Sequence, residues 1–114
     1  MTALIYHMCP SETWHEAVRA GRYDGTPQDR ADGFIHFSTA AQVTESARKH
    51  RASQDGLVLV MIDPARLGDR LKWEPARGGD LFPHLYGPFD PAEAESVIPL
   101  PLGPDGLHLF PPLR

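Results

Sequence analysis

Three of the six histidines in this 114-residue chain stand where a solvated imidazole has no evident reason to be. His7 lies in "IYHMC", His36 in "FIHFS" and His84 in "FPHLY", each an apolar, strand-like run. An imidazole so placed is either satisfied by a backbone hydrogen bond or presented to a ligand, as a proton carrier, a donor to a hydroxyl or a metal ligand. His15 and His50 fall in helical patterns and His108 near the end of the chain, and these three read as ordinary surface or core residues. Strand alternation sharpens the case of His36: Phe34, His36 and Ser38 share one face, Ile35 and Phe37 the other. With Ile35 and Phe37 turned to a core, His36 and Ser38 line a cleft. In "ALIYHM" the same rule groups His7 with Ile5, and Leu4 with Tyr6.

Other side chains offer chemistry with less definite placement. Glu74 in "LKWEP" falls at a strand end, where it serves as an acid, a base or an acceptor from a ribose hydroxyl, or stays a solvated charge beside a neighbouring cation. Asp24, Asp29 and Asp32 belong to a polar stretch and read as solvated. Trp14, Tyr23, Trp73 and Tyr86 could each stack a planar ring or fill a core. Three histidines also admit a metal-binding hydrolase using His7, His36 and His84, although HxH, HExxH and CxxC spacings are all absent. Cys9 is the single cysteine and cannot form an internal disulfide; a nucleophilic role with a histidine base is a further option. Neither a Walker-type nor a Rossmann-type glycine pattern occurs.

These residues need elements to position them. "ALIYHM" at 3–8 predicts an opening strand stopped by Cys9-Pro10, and Ser11 caps a helix that Gly21 ends. Residues 22–32, "RYDGTPQDRAD", read as a surface loop of about ten residues, long enough to be functional. "GFIHFS" predicts the next strand, followed by a helix capped by Thr39, with Ala40, Val43 and Ala47 on one face and Glu45, Arg48 and Lys49 on the other. "LVLVMID" at 57–63 is apolar throughout, the mark of a central strand buried on both faces. A short edge strand is expected around 71–74, and "FPHLYG", "SVIPL" and "GLHLF" are strand-like pieces punctuated by proline and glycine. The pattern is that of one α+β domain spanning 1–114, with two N-terminal helices packed alongside short antiparallel or mixed sheets.

The order of "IYHMCPSETWHEAVRAGRYDG", "GFIHFSTAAQVTESARKH", "GLVLVMID" and "FPHLYGPFDPAEAESVIPL" resembles a family of small bacterial proteins designated only as a domain of unknown function. That family is grouped with the ADP-ribosyltransferases, and local motifs are similar to those of RNA 2'-phosphotransferases and poly(ADP-ribose) polymerases. Tyr6-His7 matches the first-strand motif whose histidine contacts the NAD ribose, with Met8-Cys9 standing where those enzymes have glycine and threonine. His36 and Ser38 match the second motif, a strand running straight into a helix, and His84 falls near the third. The resemblance implies an ADP-ribosyltransferase-like fold. It further implies NAD or an ADP-ribose-containing nucleotide as ligand, with transfer chemistry at the nicotinamide ribose. His7, His36, Glu74 and His84 are then the candidate catalytic groups, and Tyr6, His7, Trp14, Tyr23, His36, Ser38 and Tyr86 the candidate nucleotide contacts. A non-enzymatic interaction module remains an alternative.

Whole-chain properties bound these options. A net charge of -4 and an isoelectric point near 5.8 argue against an extended nucleic-acid interface, which needs a basic face. No apolar run approaches the roughly 20 residues of a membrane helix, and the N-terminus lacks a signal-peptide pattern, so a cytoplasmic location is expected.

Overall fold

The computed structural model describes residues 3–113. Strand β1 (Ile5–Pro10) leads into helix α1 (Ser11–Ala20), then a short helix α2 (Pro27–Asp32). Two-residue strands β2 (Ile35–His36) and β3 (Ser38–Thr39) precede helix α3 (Val43–His50) and strand β4 (Leu57–Ile62). Strands β5 (Leu71–Pro75), β6 (Leu81–Leu85) and β7 (Ser96–Leu100) complete the framework. They form a four-stranded sheet in the order β3-β1-β4-β7 and a three-stranded sheet in the order β2-β6-β5, with every strand pair antiparallel. The fold is therefore α+β, with antiparallel sheets and few helices. No helix among the described residues is long and apolar enough to cross a membrane.

The six residues of β4 are all buried because the sheet is covered on both faces. Val58, Val60 and Ile62 join Ile5, Cys9, Trp14, Tyr23, Ile35, Phe37 and Leu85 in one apolar cluster. Leu57, Leu59 and Met61 join Leu4, Tyr6, Val43 and Leu100 in a second. Period-two alternation thus splits one continuous apolar run between two cores, and each such side chain contributes about 1.5–3 kcal/mol on full burial. The same rule places His7 on the face of Ile5 and Cys9, inside the first core, at 2% exposure.

Four expectations change. "GFIHFS" is not one strand: Ile35 and His36 pair with Leu85 and His84 of β6, the Phe37 amide donates to the Pro83 carbonyl, and Ser38 and Thr39 then pair with Tyr6 and Ile5 of β1. The chain changes sheets at Phe37. The following helix starts at Val43 and not at Thr39, because the Thr39 amide is held by the Gln42 side chain while its backbone pairs with β1. Residues 22–32 are not all loop: Thr26 and Asp29 form a reciprocal capping box with Pro27 at the first helical position, and α2 results. "GLHLF" contributes an isolated bridge between Leu102 and His108 in place of a strand.

Gly25 makes the approach to α2 possible. Its φ is +98°, and a Cβ there would stand 2.7 Å from the Asp29 Cβ and 3.2 Å from the Ile35 side chain. Gly33, which closes α2 at φ +88°, has no such neighbour within 4 Å. Gly25→Ala is expected to cost about 2–4 kcal/mol, from the left-handed backbone plus overpacking, and Gly33→Ala only about 1–2 kcal/mol, from the backbone alone. Urea denaturation of the two variants measures the difference.

Candidate functional site

The centre of the site is a carboxylate that the sequence offers as a solvated charge. Asp29 is 2% exposed. One carboxylate oxygen accepts from the Thr26 amide at 2.8 Å, the other from the His36 amide at 3.1 Å and from His36 Nδ1 at 2.5 Å. Burial alone pushes this carboxyl up, but the hydrogen bond from His36, the neighbouring His7 ring and the two amides outweigh it and hold Asp29 at about 2. Asp29 is therefore ionised and fixed, and it ties α2 to β2.

His7 is spent inside this framework. Its Nδ1–H donates to the His36 carbonyl at 2.6 Å, which leaves Nε2 to accept from the Tyr23 hydroxyl at 2.5 Å. That assignment holds for the neutral ring, the state that burial favours. Burial is the largest influence on His7 and lowers its pKa, ahead of the opposing pull of Asp29, so the imidazole is neutral although Asp29 Oδ2 lies 3.7 Å from Nε2. Burial likewise pushes the Tyr23 phenol up, and the Cys9 thiol up to about 11. His7 is thus a pin between β1, β2 and Tyr23, with no ring nitrogen left for a ligand. The thiol is buried and protonated, and so is unsuited to act as a nucleophile.

His36 has the opposite setting. Its side chain is 41% exposed, with Nδ1 on Asp29 and Nε2 3.0 Å from Asp32, an exposed carboxylate at the end of α2. Across the β2–β6 pairing it faces His84, whose ring centroid is 5.8 Å away. His84 is stacked on Phe34 at 4.0 Å, and its Nδ1 donates to Glu74 at 2.8 Å. Tyr86 donates to the same oxygen of Glu74 at 2.7 Å. These two bonds, the tyrosine's first, lower the Glu74 pKa. Glu74 is therefore bonded to His84 and Tyr86 while remaining 39% exposed, with the Lys72 charge nearby.

The groups gather around a cleft of about 710 Å³ at the place where the chain leaves one sheet for the other. Phe34, His36, Phe82 and His84 line its aromatic side, and Ser38, Ser46, His50 and Arg51 line the side toward α3. Ser38 donates to Ser46 at 3.2 Å. Arg51 follows α3 directly, and among the described residues no carboxylate lies within ion-pair distance of its guanidinium. Its charge nevertheless reaches inward, opposing protonation of His7 and favouring ionisation of Tyr23.

Of the residues singled out by sequence, the structure brings Tyr6, His7, His36, Ser38 and His84 to the cleft. Tyr6 is 1% exposed and His7 2%, so both shape its floor. Trp14 and Tyr23 are not ring-stacking contacts: both are buried in the first core, where their rings lie 5.3 Å apart. Tyr86 and Glu74 stand behind the cleft lining, bonded to each other and to His84. The three histidines do not converge as ligands, and among the described residues no group of three or more His, Cys, Asp or Glu is placed to hold a metal ion. Asp29, Phe34 and Arg51 were missed. The "TPQD" capping box was a readable signal for Asp29; Arg51 follows a run of exposed basic residues and carries no signal of its own.

A family model described as "Protein of unknown function (DUF952)" matches residues 8–97. The crystal structure of Protein CC0527 from Caulobacter crescentus is 42% identical, with 93% of each chain covered and a TM-score of 0.90. The solution NMR structure of CC0527 is likewise 42% identical, covering 91% of this chain and 90% of that one at a TM-score of 0.82. No curated protein matches the sequence.

The two buried groups make stability depend on pH in the same direction. His7 keeps a lowered pKa in the folded protein, so below its ordinary value of 6.5 the unfolded chain takes up a proton that the folded one refuses. Stability falls with pH from there, by at most about 1.4 kcal/mol per pH unit. Asp29, lowered from 3.8 to about 2, adds a further loss that begins below 3.8 and is complete once the pH has fallen through about 2. Urea denaturation at stepped pH is expected to show the first decline in the wild type and a flatter profile below pH 6.5 in His7→Gln.

Proposed function

The chain belongs to the DUF952 family of proteins of unknown function, and from that premise we propose that its cleft binds NAD or another ADP-ribose-containing nucleotide. The observation that carries this reading is the pairing of two unlike walls in one cleft: an aromatic and imidazole side at Phe34, His36 and His84, and a cation, Arg51, with no ion pair among the described residues. A nucleotide has the matching parts. Its planar ring packs on the aromatic wall, its ribose hydroxyls meet His36 and the serine hydroxyls, and its phosphates meet the guanidinium.

The ADP-ribosyltransferase-like fold belongs to the same proposal. Supporting it are two antiparallel sheets meeting at a cleft, and the positions of Tyr6, His7, His36 and Ser38 along its floor and rim. His7 departs from the role the resemblance implies, since its ring nitrogens are bonded within the protein. His36 takes over as the imidazole facing the ligand.

Thermal-shift and saturation-transfer NMR titrations with NAD, ADP-ribose and nicotinamide riboside test the reading. NAD and ADP-ribose are expected to stabilise the protein. Arg51→Gln weakens both by roughly tenfold or more, the loss of a charge-assisted bond to phosphate, and leaves the phosphate-free riboside unaffected. The reading falls if millimolar NAD and ADP-ribose produce neither a shift in melting temperature nor saturation transfer.

A further inference from the structure

Asp29 and His36 form a unit that nucleotide binding alone does not require. A buried carboxylate holds Nδ1 of an exposed imidazole at 2.5 Å, and the same carboxylate accepts the His36 backbone amide, so ring and backbone are fixed by one anchor. Asp29 is immobilised in turn by the capping box with Thr26. Only Nε2 of His36 is then free to serve the cleft. It stands 3.0 Å from Asp32, which is 37% exposed and itself hydrogen-bonded by Gln28. One ring nitrogen faces each carboxylate, Nδ1 at Asp29 and Nε2 at Asp32. A ligand that displaces Asp32 leaves the proton on Nδ1, where Asp29 accepts it, and a bare Nε2 pointing at whatever has entered.

We propose that Asp29 and His36 are a proton-transfer dyad, in which His36 is the general base toward water or a hydroxyl and Asp29 is the positioning residue that fixes its tautomer. The inference rests on the nucleotide reading and gives the cleft a reaction class, hydrolysis or transfer at the glycosidic carbon of a nicotinamide ribose. The attacking O–H bond breaks and its proton goes to Nε2 of His36. The oxygen forms a bond to the ribosyl carbon while the bond from that carbon to the nicotinamide nitrogen breaks. The electron pair of the broken bond stays on the nicotinamide nitrogen and neutralises the pyridinium charge, so no further reactant is needed. The nearby ionisable groups are Asp29, Asp32, His84 and His7; of these only Asp29 contacts Nδ1, and only Asp32 stands at Nε2.

The test is long-range 1H–15N correlation NMR of histidine-labelled protein, titrated from about pH 5 to about pH 9, the range in which imidazole changes charge. Neutral His36 is expected to keep its proton on Nδ1 in the wild type and in Asp32→Asn. In Asp29→Asn it moves toward the Nε2–H form that free imidazole prefers. A wild-type His36 whose neutral form carries the proton on Nε2 overturns the dyad, and this result needs no variant to fold. Nicotinamide release from NAD, followed by proton NMR, is the second readout. Release that is lost in His36→Gln while NAD affinity is retained supports the step. Wild-type release rates in His36→Gln, or a wild type that binds NAD and releases nothing, overturn it. Should NAD fail to bind while Nδ1–H persists, the nucleotide reading falls and the catalytic step proposed on it falls too, with the tautomer assignment left standing as a separate result.

Discussion

An ionised carboxylate held out of water sets the terms for this fold. Removing a charge from water costs several kcal/mol, and the cost is met only where donors converge on it with good geometry. Asp29 meets that condition through Thr26, the His36 amide and the His36 ring. The partners come from two pieces of chain, Thr26 at the entry to α2 and His36 of β2, which supplies both its amide and its ring. Loss of the His36 ring removes the charge-assisted partner and leaves Asp29 with backbone amides alone. The left-handed Gly25, packed against Asp29, is part of the same constraint.

From this anchor follows a division of labour between two histidines that look alike in sequence. The His36 carbonyl accepts from Nδ1–H of His7 while its own ring reaches the cleft; His7 commits both ring nitrogens within the protein. Burial keeps His7 neutral against the pull of Asp29 and of the His36 carbonyl. The cleft exists because β2 and β3 are only two residues each and lie in different sheets. The sheet change at Phe37 sends Ile35 and Phe37 into the first core and leaves Phe34, His36 and Ser38 facing the opening between the sheets.

Much of this is legible in the amino-acid sequence. Alternation in "FIHFS" separated His36 and Ser38 from Ile35 and Phe37, and the continuous apolar run at 57–62 marked the central strand. The sheet change was not legible, since a six-residue apolar run carries no sign that its halves hydrogen-bond to different partners. By composition the Gly, Pro and Asp of residues 22–32 suggest a loop, whereas the spacing in Thr26-Pro27-Gln28-Asp29 spells a capped helix. His7 was read as open to a ligand because alternation gives a face and says nothing of whether that face is closed by Tyr23. Trp14 and Tyr23 illustrate the same gap, aromatic rings whose type suits a ligand and whose position is the core.

The central claim is that one cleft joins an aromatic wall to an arginine in order to hold a nucleotide. A crystal structure of the protein with ADP-ribose tests it most directly. The account predicts density in the cleft with a phosphate on Arg51, a ribose hydroxyl at Nε2 of His36 and Asp32 turned away from that nitrogen. Ligand bound elsewhere, or bound in the cleft with Arg51 in solvent and Asp32 still on His36, would contradict it.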